Sequence, residues 1–126
     1  MKMQNGPLTG VKVLDLSLLL PGPLCSQHLA DMGAEVIKVE NPRLGDLTRY
    51  MGTKVTKGEH AETGFFLQLN RNKKSICVNI KRDAGREVIL RLLQDCDILL
   101  EGFRPDTLNE LGIGFEQLKE KFPRLI

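Results

Sequence analysis

The chain has 126 residues, of which 41% are hydrophobic and 27% charged, and its formal net charge is +2. This composition is that of one soluble globular domain with a buried core, and it excludes a disordered chain, which requires low hydrophobicity and high net charge. The small net charge and the scarcity of aromatic residues (5 Phe, 1 Tyr and 0 Trp) argue against a nucleic-acid partner.

Targeting and metal-binding signals are weak in this chain. Cys25, Cys77 and Cys96 are widely spaced and form no CxxC pair, so neither a metal site nor a disulfide framework is predicted. Free thiols of this kind fit a reducing cytosol. Residues 1–6 lack the apolar segment of a signal peptide, and the apolar run at residues 18–20 is too short to span a bilayer. We therefore expect a cytoplasmic protein without a membrane partner.

The first part of the chain predicts a βαβ unit. Residues 11–16 are typical of a strand buried on both faces, and Pro21-Gly22-Pro23 ends it. Residues 24–32 indicate a helix, with Gly33 in the position of a left-handed cap, and residues 35–40 indicate a second strand. A strand, a helix and a strand within about 30 residues predict that the two strands are parallel.

A long irregular connection is predicted over residues 41–64. Gly45, Gly52, Gly58 and Gly64 interrupt it, and a structureless connection of this length in a compact domain is usually functional or mobile. Regular structure is expected to resume at residues 65–69, and the polar residues 70–74 are loop-like.

The second half of the chain predicts another βαβ unit. Residues 75–80 alternate as in a strand, Asp83 is a good cap for a helix over residues 84–95, and residues 97–101 form the next strand. Apolar residues recur along the helix at the spacing of one face. This stripe consists of Val88, Ile89, Leu92, Leu93 and Cys96.

Two short helices are predicted near the end of the chain. Asp106 caps the first, which ends at Gly112, and the second covers residues 115–122. Residues 124–126 then resemble the beginning of a strand. Because a strand usually has ~5–6 residues, we expect a chain that is truncated at its C-terminus.

Several candidate binding residues follow predicted strands. Ligands of doubly wound sheets bind at the carboxyl ends of strands, where Pro21-Gly22-Pro23 stands, although spacing alone favours a rigid turn there. A GxGxxG sequence is absent, so no dinucleotide fingerprint is supported. After the second strand, Arg49 can pair with a phosphate or with its neighbour Asp46. After the third, Phe103 can stack on a purine with Arg104 near a phosphate, or it can fill the end of the sheet.

The densest group of cations consists of Arg71, Lys73 and Lys74. Such a group can recognise phosphate, but a solvated basic turn has the same composition. His28 and His60 have no nucleophile or carboxylate partner at a diagnostic spacing. The residues themselves thus predict an α/β domain whose strand ends hold a phosphorylated ligand, and they predict no reaction.

Segments in this order resemble the family III CoA-transferases of the CaiB/BaiF type, a family that includes the α-methylacyl-CoA racemases. The resemblance spans essentially the whole chain. It is carried by residues 8–15, Pro21-Gly22-Pro23, residues 29–40, Gly45-Asp46 with Arg49, and residues 70–76, 100–105 and 111–113.

The resemblance implies a fold, a ligand and an assembly. The fold is α/β and Rossmann-like, a mainly parallel sheet with flanking helices, and residues 1–126 are the N-terminal CoA-binding part of its large domain, without a second domain. CoA or acyl-CoA binds as a substrate, no cofactor is bound covalently, and the full-length protein forms an intertwined homodimer. The implied CoA contacts are Leu20, Pro21, Asn41, Val78, Asn79, Lys81, Gly102, Phe103 and Arg104.

Two positions depart from the family pattern. Asn41 stands where an arginine often contacts the nucleotide, and Glu110 stands where a basic residue is common. Both changes remove positive charge, for which Arg43, Arg49 and Arg104 are the candidates to compensate.

The resemblance implies a reaction whose catalytic residues lie beyond Ile126, so the isolated chain is expected to be inactive and to contain no catalytic or metal-binding residue. Family transferases move CoA between an acyl-CoA and a small carboxylic acid through an aspartyl anhydride and an enzyme–CoA thioester. Family racemases use a His/Asp pair to exchange the proton α to the thioester. We expect the transferase first, the racemase as its alternative, and a non-catalytic CoA- or nucleotide-binding module as the alternative of another class.

Overall fold

The computed structural model describes residues 6–126. The elements follow in the order β1 (Lys12–Asp15), α1 (Pro21–Asp31), β2 (Glu35–Glu40), a 3-10 helix (Leu47–Tyr50), β3 (Lys54–Lys57), β4 (His60–Thr63), α2 (Gly64–Asn70), β5 (Lys74–Cys77), α3 (Asp83–Leu93), β6 (Ile98–Leu100), α4 (Thr107–Glu110) and α5 (Phe115–Lys121).

A parallel sheet of 4 strands, in the order β5-β2-β1-β6, forms the centre of the fold. In its register Leu14 lies opposite Ile37 on one side and Leu99 on the other. The predicted β1-α1-β2 unit is confirmed. Helix α1 begins earlier than predicted because Pro21 occupies its first turn, where a missing N–H costs no hydrogen bond. Gly33 follows the helix with φ +102, the left-handed conformation expected of it.

The two faces of the sheet are covered by different helices. On one face, Leu14, Leu16 and Val39 pack against Ile89 and Leu93 of α3. On the other face, Val13 and Val36 pack against Ala30 of α1 and the following Ala34. Because side chains of a strand alternate between the faces, the predicted strands that are apolar on both sides belong to the centre of the sheet. The fold is therefore the α/β, mainly parallel sheet with flanking helices that the sequence predicts.

The prediction of an irregular connection over residues 41–64 is wrong. This segment contains the 3-10 helix and an antiparallel hairpin of β3 and β4, in which Lys54 pairs with Thr63. Gly58 turns the hairpin with φ +62. The Asp46 carboxylate accepts a hydrogen bond from Thr48 N and caps the 3-10 helix.

Helix α2 is capped in the same way as the 3-10 helix. The Thr63 hydroxyl accepts a hydrogen bond of 3.1 Å from Phe66 N. The side-chain caps of this region thus come from Asp46 and Thr63, which are both buried.

Two predicted helix caps are also wrong in detail. Asp83 lies inside α3, where its carboxylate binds Arg86, and Arg82 occupies the cap position. Asp106 precedes α4 in the left-handed conformation, with φ 66, and its Oδ1 accepts a hydrogen bond from Asn109 Nδ2 instead of a backbone amide.

The predicted strand over residues 75–80 is shorter in the structure, because β5 ends at Cys77. Beyond it, Val78 and Ile80 still pack against the core on the α3 face, as their alternation indicates. The last residues lie beside β6, since Leu99 N donates to Ile126 O (2.8 Å) and Ile126 N donates to Asp97 O (3.0 Å). These are the bonds of a parallel ladder, although no strand is formed there.

Within residues 6–126, no helix combines the length and the apolar character that crossing a bilayer would require.

Candidate binding site at the carboxyl edge of the sheet

The candidate site is a cavity of about 130 Å³ at the carboxyl ends of β1, β2 and β5. Parallel strands end at the same edge, so residues that are far apart in the sequence meet there. Leu16 and Leu18 border the cavity from the end of β1, and Val39 and Glu40 from the end of β2. Of the contacts that the resemblance implies, the cavity is lined by Asn41, Val78, Asn79, Lys81 and Phe103.

Residues 78–81 form the wall of this cavity on the side of β5. Val78 N donates to Glu40 O (3.0 Å), and Asn79 Oδ1 accepts a hydrogen bond from Lys81 N (3.1 Å). Gly85 in the first turn of α3 packs so closely that a Cβ there would lie 2.0 Å from Asn79 O. Glycine at this position therefore allows α3 to support the wall of the site.

The 17–23 segment, which connects β1 to the first turn of α1, contains two further predicted contacts, Leu20 and Pro21. Neither lines the cavity, and both are exposed. Leu19 adopts φ 66, a conformation that costs a non-glycine residue ~1–2 kcal/mol. Gly22 faces Ser17, since a Cβ on Gly22 would lie 2.2 Å from the Ser17 Cβ atom.

Gly102 and Arg104 lie on the side of β6. A Cβ on Gly102 would lie 3.8 Å from Ser17 Cβ, so this residue borders the 17–23 segment. Arg104 lines a larger cavity of about 600 Å³ between β6, α4 and α5. Phe103 borders both cavities, and its ring also packs against the core on the α3 face. The smaller cavity is the better candidate because it unites five of the implied contacts, whereas the larger one has only Phe103 and Arg104.

Three exposed cations lie near the candidate site. Lys81 lines the smaller cavity and Arg104 the larger one, and within residues 6–126 neither forms an ion pair. Arg43 is a third such cation, and it follows Asn41 after β2. The side-chain Oδ1 of Asn41 accepts hydrogen bonds from Arg43 N (2.9 Å) and Leu44 N (3.3 Å), which holds this turn.

Arg49, a candidate phosphate ligand, is already neutralised. Its guanidinium donates to both carboxylate oxygens of Glu40, at 2.8 and 2.7 Å, pairs with Glu62, and lies 3.6 Å from the centre of the Phe66 ring. Asp46 pairs with Lys38 at 2.8 Å. The sequence-based alternative that pairs Arg49 with Asp46 is therefore wrong, and as a phosphate ligand Arg49 would compete with two carboxylates that already bind it.

The cations of residues 70–74 are also bound to different carboxylates. Arg71 pairs with Asp31, and Lys74 pairs with Glu35. The Lys73 side chain is 1% exposed and approaches Asp15 at 3.4 Å. These residues therefore do not form one phosphate site, and the solvated basic turn that the sequence allows holds for Arg71 and Lys74 but not for the buried Lys73.

Sequence reasoning missed a buried polar network beneath the edge of the sheet. Asp15 on β1 and Lys38 and Glu40 on β2 lie on the face that α1 covers, and all three are buried. The only sequence signal was charge at alternating positions of otherwise apolar strands. Such charges are stable in a core only when they are paired, and here each has a partner.

The network shifts several pKa values, those of Glu40 and Lys73 by a large amount. Burial raises the pKa of Glu40, but hydrogen bonds from Arg49, Ser75 and the Asp46 amide more than offset burial and lower the pKa to about 2. Burial lowers the pKa of Lys73 to about 8, because the nearby Asp15 carboxylate compensates only in part.

The two histidines of the chain do not line this cavity. His28 and His60 are exposed, on α1 and on the hairpin. In the described part of the chain, His, Cys, Asp and Glu side chains form no group of three or more that could hold a metal ion.

A mainly parallel sheet with helices on both faces defines a Rossmann-like α/β fold. The chain belongs to CoA-transferase family III, which it matches over residues 8–126. It is 48% identical to an acyl-CoA transferase of Fusarium pseudograminearum over 97% of this chain, and 45% identical to the succinyl-CoA:glutarate CoA-transferase of Homo sapiens over 95% of it. A crystal structure of a CaiB/BaiF family protein from Brucella suis superposes with a TM-score of 0.91 at 40% identity, over 98% of this chain.

These similarities cover only part of the other proteins. The chain spans 28% of the Fusarium protein, 27% of the human protein and 32% of the Brucella chain.

Proposed function

We propose that the full-length protein is a CoA-transferase that moves CoA from an acyl-CoA to a carboxylic acid, and that this chain binds the CoA moiety. The observation that carries the proposal is the cavity at the carboxyl edge, which brings together Asn41, Val78, Asn79, Lys81 and Phe103 from three separate regions of the sequence. Membership in CoA-transferase family III supports the reaction class.

The chemistry of the cavity suits a nucleotide with phosphate groups. Phe103 and Val78 offer an aromatic and an apolar surface for the adenine ring, for which stacking on an aromatic side chain contributes ~1–3 kcal/mol per base. Lys81 and Arg104, which line the two cavities that Phe103 borders, would provide positive charge for the phosphates. Leu20, Pro21 and Gly102 would complete the site along the 17–23 segment.

In the proposed reaction, the catalytic group is an aspartate beyond Ile126. Its carboxylate attacks the acyl-CoA carbonyl, the CoA thiolate leaves, and a mixed anhydride forms. The thiolate then attacks the aspartyl carbon of the anhydride, which releases the first acid and leaves an aspartyl–CoA thioester. The acceptor carboxylate repeats these two steps in reverse, so the aspartate is regenerated and CoA ends on the second acid.

The name of a relative suggests which acyl-CoA and which acceptor acid to test first. The human relative is named for succinyl-CoA and glutarate, which are both derived from dicarboxylic acids. A dicarboxylyl-CoA and a free dicarboxylate are therefore the first pair to test. An intertwined homodimer is proposed as well. The molar mass of the full-length protein from light scattering tests whether it is a dimer, and its crystal structure tests whether the two chains are intertwined.

The activity test mixes the full-length protein with succinyl-CoA and ¹³C-labelled glutarate and follows acyl-CoA products by mass spectrometry. Labelled glutaryl-CoA that forms only with protein and acceptor is expected. A panel of other carboxylates follows if glutarate is inert. Exchange of the α-proton with solvent deuterium without any transfer would replace the transferase with the racemase. CoA binding without either reaction would favour the non-catalytic binding module over both enzymes.

A further inference from the structure

The 17–23 segment has a backbone that needs restraint. Leu19 adopts φ 66, a left-handed conformation that a leucine side chain disfavours, and its exposed side chain is not held in a core. Leu20 and Pro21, directly after it, are two of the contacts proposed for CoA. The conformation of Leu19 therefore decides how these two residues meet the ligand.

Two buried ammonium groups bind the ends of this segment. Lys38 Nζ donates to Ser17 O at 2.9 Å, and Lys73 Nζ donates to Pro23 O at 2.8 Å. The side chains of both lysines are 1% exposed. A buried, charged donor forms a stronger hydrogen bond than a neutral one, so each end of the segment is fixed directly through its backbone.

Both lysines are themselves held by other elements. Lys38 Nζ lies 2.8 Å from Asp46 Oδ2 at the start of the 3-10 helix. Lys73 Nζ donates to Asn70 Oδ1 at 3.0 Å and lies 3.4 Å from Asp15 Oδ2.

Asp15 connects the second anchor to the first residue of the segment. Its Oδ1 accepts a hydrogen bond of 2.9 Å from Ser17 N and another from the Ser17 hydroxyl, and its Oδ2 accepts one from the Ser26 hydroxyl. The segment is thus tied at its start, at its end and to α1.

We propose that Lys38 and Lys73 are positioning residues for acyl-CoA binding, which hold Ser17 and Pro23 so that the segment between them keeps the conformation that CoA recognises. The identity of the ligand in this inference rests on the proposed function. The restraint of the segment by the two lysines does not depend on it. Lys74, next to Lys73, provides a matched control because its side chain is 68% exposed and bound only at the surface to Glu35.

The experiment compares the full-length protein with its Lys38→Met, Lys73→Met and Lys74→Met variants. Methionine preserves the approximate length of the side chain and removes the ammonium group. Amide hydrogen exchange of Ser17 and Leu24, whose N–H groups donate to Asp15 Oδ1 and to Leu20 O at the two ends of the segment, measures the restraint, and calorimetric titration with acetyl-CoA measures affinity. We expect at least about tenfold faster exchange and about tenfold weaker binding for the first two variants, and no change for Lys74→Met.

A general loss of stability would raise exchange throughout the sheet, so the amides of β1 and β2 serve as the internal reference. Unchanged exchange in the segment of folded Lys38→Met and Lys73→Met proteins would overturn the proposal. Faster exchange with unchanged acetyl-CoA affinity would also overturn it, as the segment would then not position the ligand. If the wild-type protein does not bind acetyl-CoA, the proposed function fails, whereas the exchange data still decide whether the lysines restrain the segment.

The wild-type protein supplies a second test if both methionine variants fail to fold. The pKa of Lys73 is lowered to about 8 by burial, and the charged groups around it are Asp15, Lys38 and Asp46. Raising the pH from 7 to 9 should therefore neutralise Lys73 and accelerate exchange in the segment relative to β1 and β2, after correction for base catalysis. Equal acceleration in all three places would contradict the restraint by Lys73.

Discussion

The ammonium nitrogen of Lys38 and the Oδ2 atom of Asp46 lie 2.8 Å apart, with their side chains 1% and 0% exposed. This ion pair joins β2 to the segment after it, which places the 3-10 helix and the hairpin against the edge of the sheet. A buried pair that loses one partner leaves an uncompensated charge, and this costs more than the loss of both charges.

The pair predicts a specific order of stabilities. Asp46→Asn keeps the oxygen that caps Thr48 but removes the charge, and it should lower the free energy of unfolding by about 3 kcal/mol or more. The double variant Lys38→Met with Asp46→Asn should be more stable than Asp46→Asn alone. Urea unfolding measures both, and Lys74→Ala at the exposed pair should cost at most about 1 kcal/mol. A double variant that is less stable than Asp46→Asn would contradict this account.

Glu40 predicts a loss of stability in acid. Burial raises the pKa of this carboxyl, but the hydrogen bonds to it hold the pKa at about 2, against 4.5 without these contacts. Because the pKa is lower in the folded state, the stabilisation is present above pH 4.5 and is lost as the pH falls towards 2, by roughly 3 kcal/mol in all. Urea unfolding at several pH values should show a shallower decline over this range for Glu40→Gln. Identical declines would show that Glu40 does not cause it.

The substitution Gly85→Ala should change the stability of the protein in the direction opposite to that usual for glycine in a helix. Glycine to alanine inside a helix normally stabilises it by about 0.5–1 kcal/mol. In α3 the new Cβ would lie 2.0 Å from Asn79 O, so Gly85→Ala should destabilise the protein by about 1–3 kcal/mol and weaken CoA binding through the displaced wall. The control is Glu87→Ala on the exposed side of α3, which should change stability by less than about 0.5 kcal/mol. A stabilised Gly85→Ala protein would disprove the close packing.

Replacing Leu19 with glycine should cost little stability. Glycine removes the cost of φ 66 but adds backbone entropy to the unfolded chain, so Leu19→Gly should change the free energy of unfolding by less than about 0.5 kcal/mol. Leu18 and Leu20 are similarly exposed, and glycine there should lower stability by about 1 kcal/mol. Thermal unfolding of the three variants checks this order, and equal losses would contradict a left-handed Leu19.

A substitution of Phe103 tests the proposed stacking contact with the nucleotide. Phe103→Leu keeps an apolar side chain for the core but removes the aromatic surface, and it should weaken acetyl-CoA binding about tenfold. Phe115→Leu is the control, since this ring is 69% exposed and lies outside the smaller cavity. Calorimetric titration measures both variants, and equal affinities for acetyl-CoA would remove Phe103 from the site.

The sequence predicts the parallel sheet well because its strands carry strong local signals. Strand β2 matches the predicted residues 35–40, since Gly33 ends the preceding helix and Pro42 follows the strand. The hairpin of β3 and β4 was missed because its strands are largely polar and exposed. Polar strands show no buried alternation, so only their pairing, for example of Val55 with Glu62, reveals them.

The candidate site is predictable only in part. Asn41, Val78 and Phe103 could be expected at one edge, because parallel strands share that edge. The burial of Lys73 could not be expected, because its neighbours in the sequence are polar and its partner Asp15 is 58 residues away. This ion pair joins β1 to the turn before β5, so it forms only in the folded chain and leaves no local pattern in the sequence.

The most direct test of the account is the structure of the full-length protein with bound acetyl-CoA. We expect the nucleotide at the carboxyl edge of the sheet, with its adenine within about 4.5 Å of Phe103 or Val78 and its phosphates next to Lys81 or Arg104. An acetyl-CoA molecule bound away from this edge, for example only between α4 and α5, would contradict the proposed site.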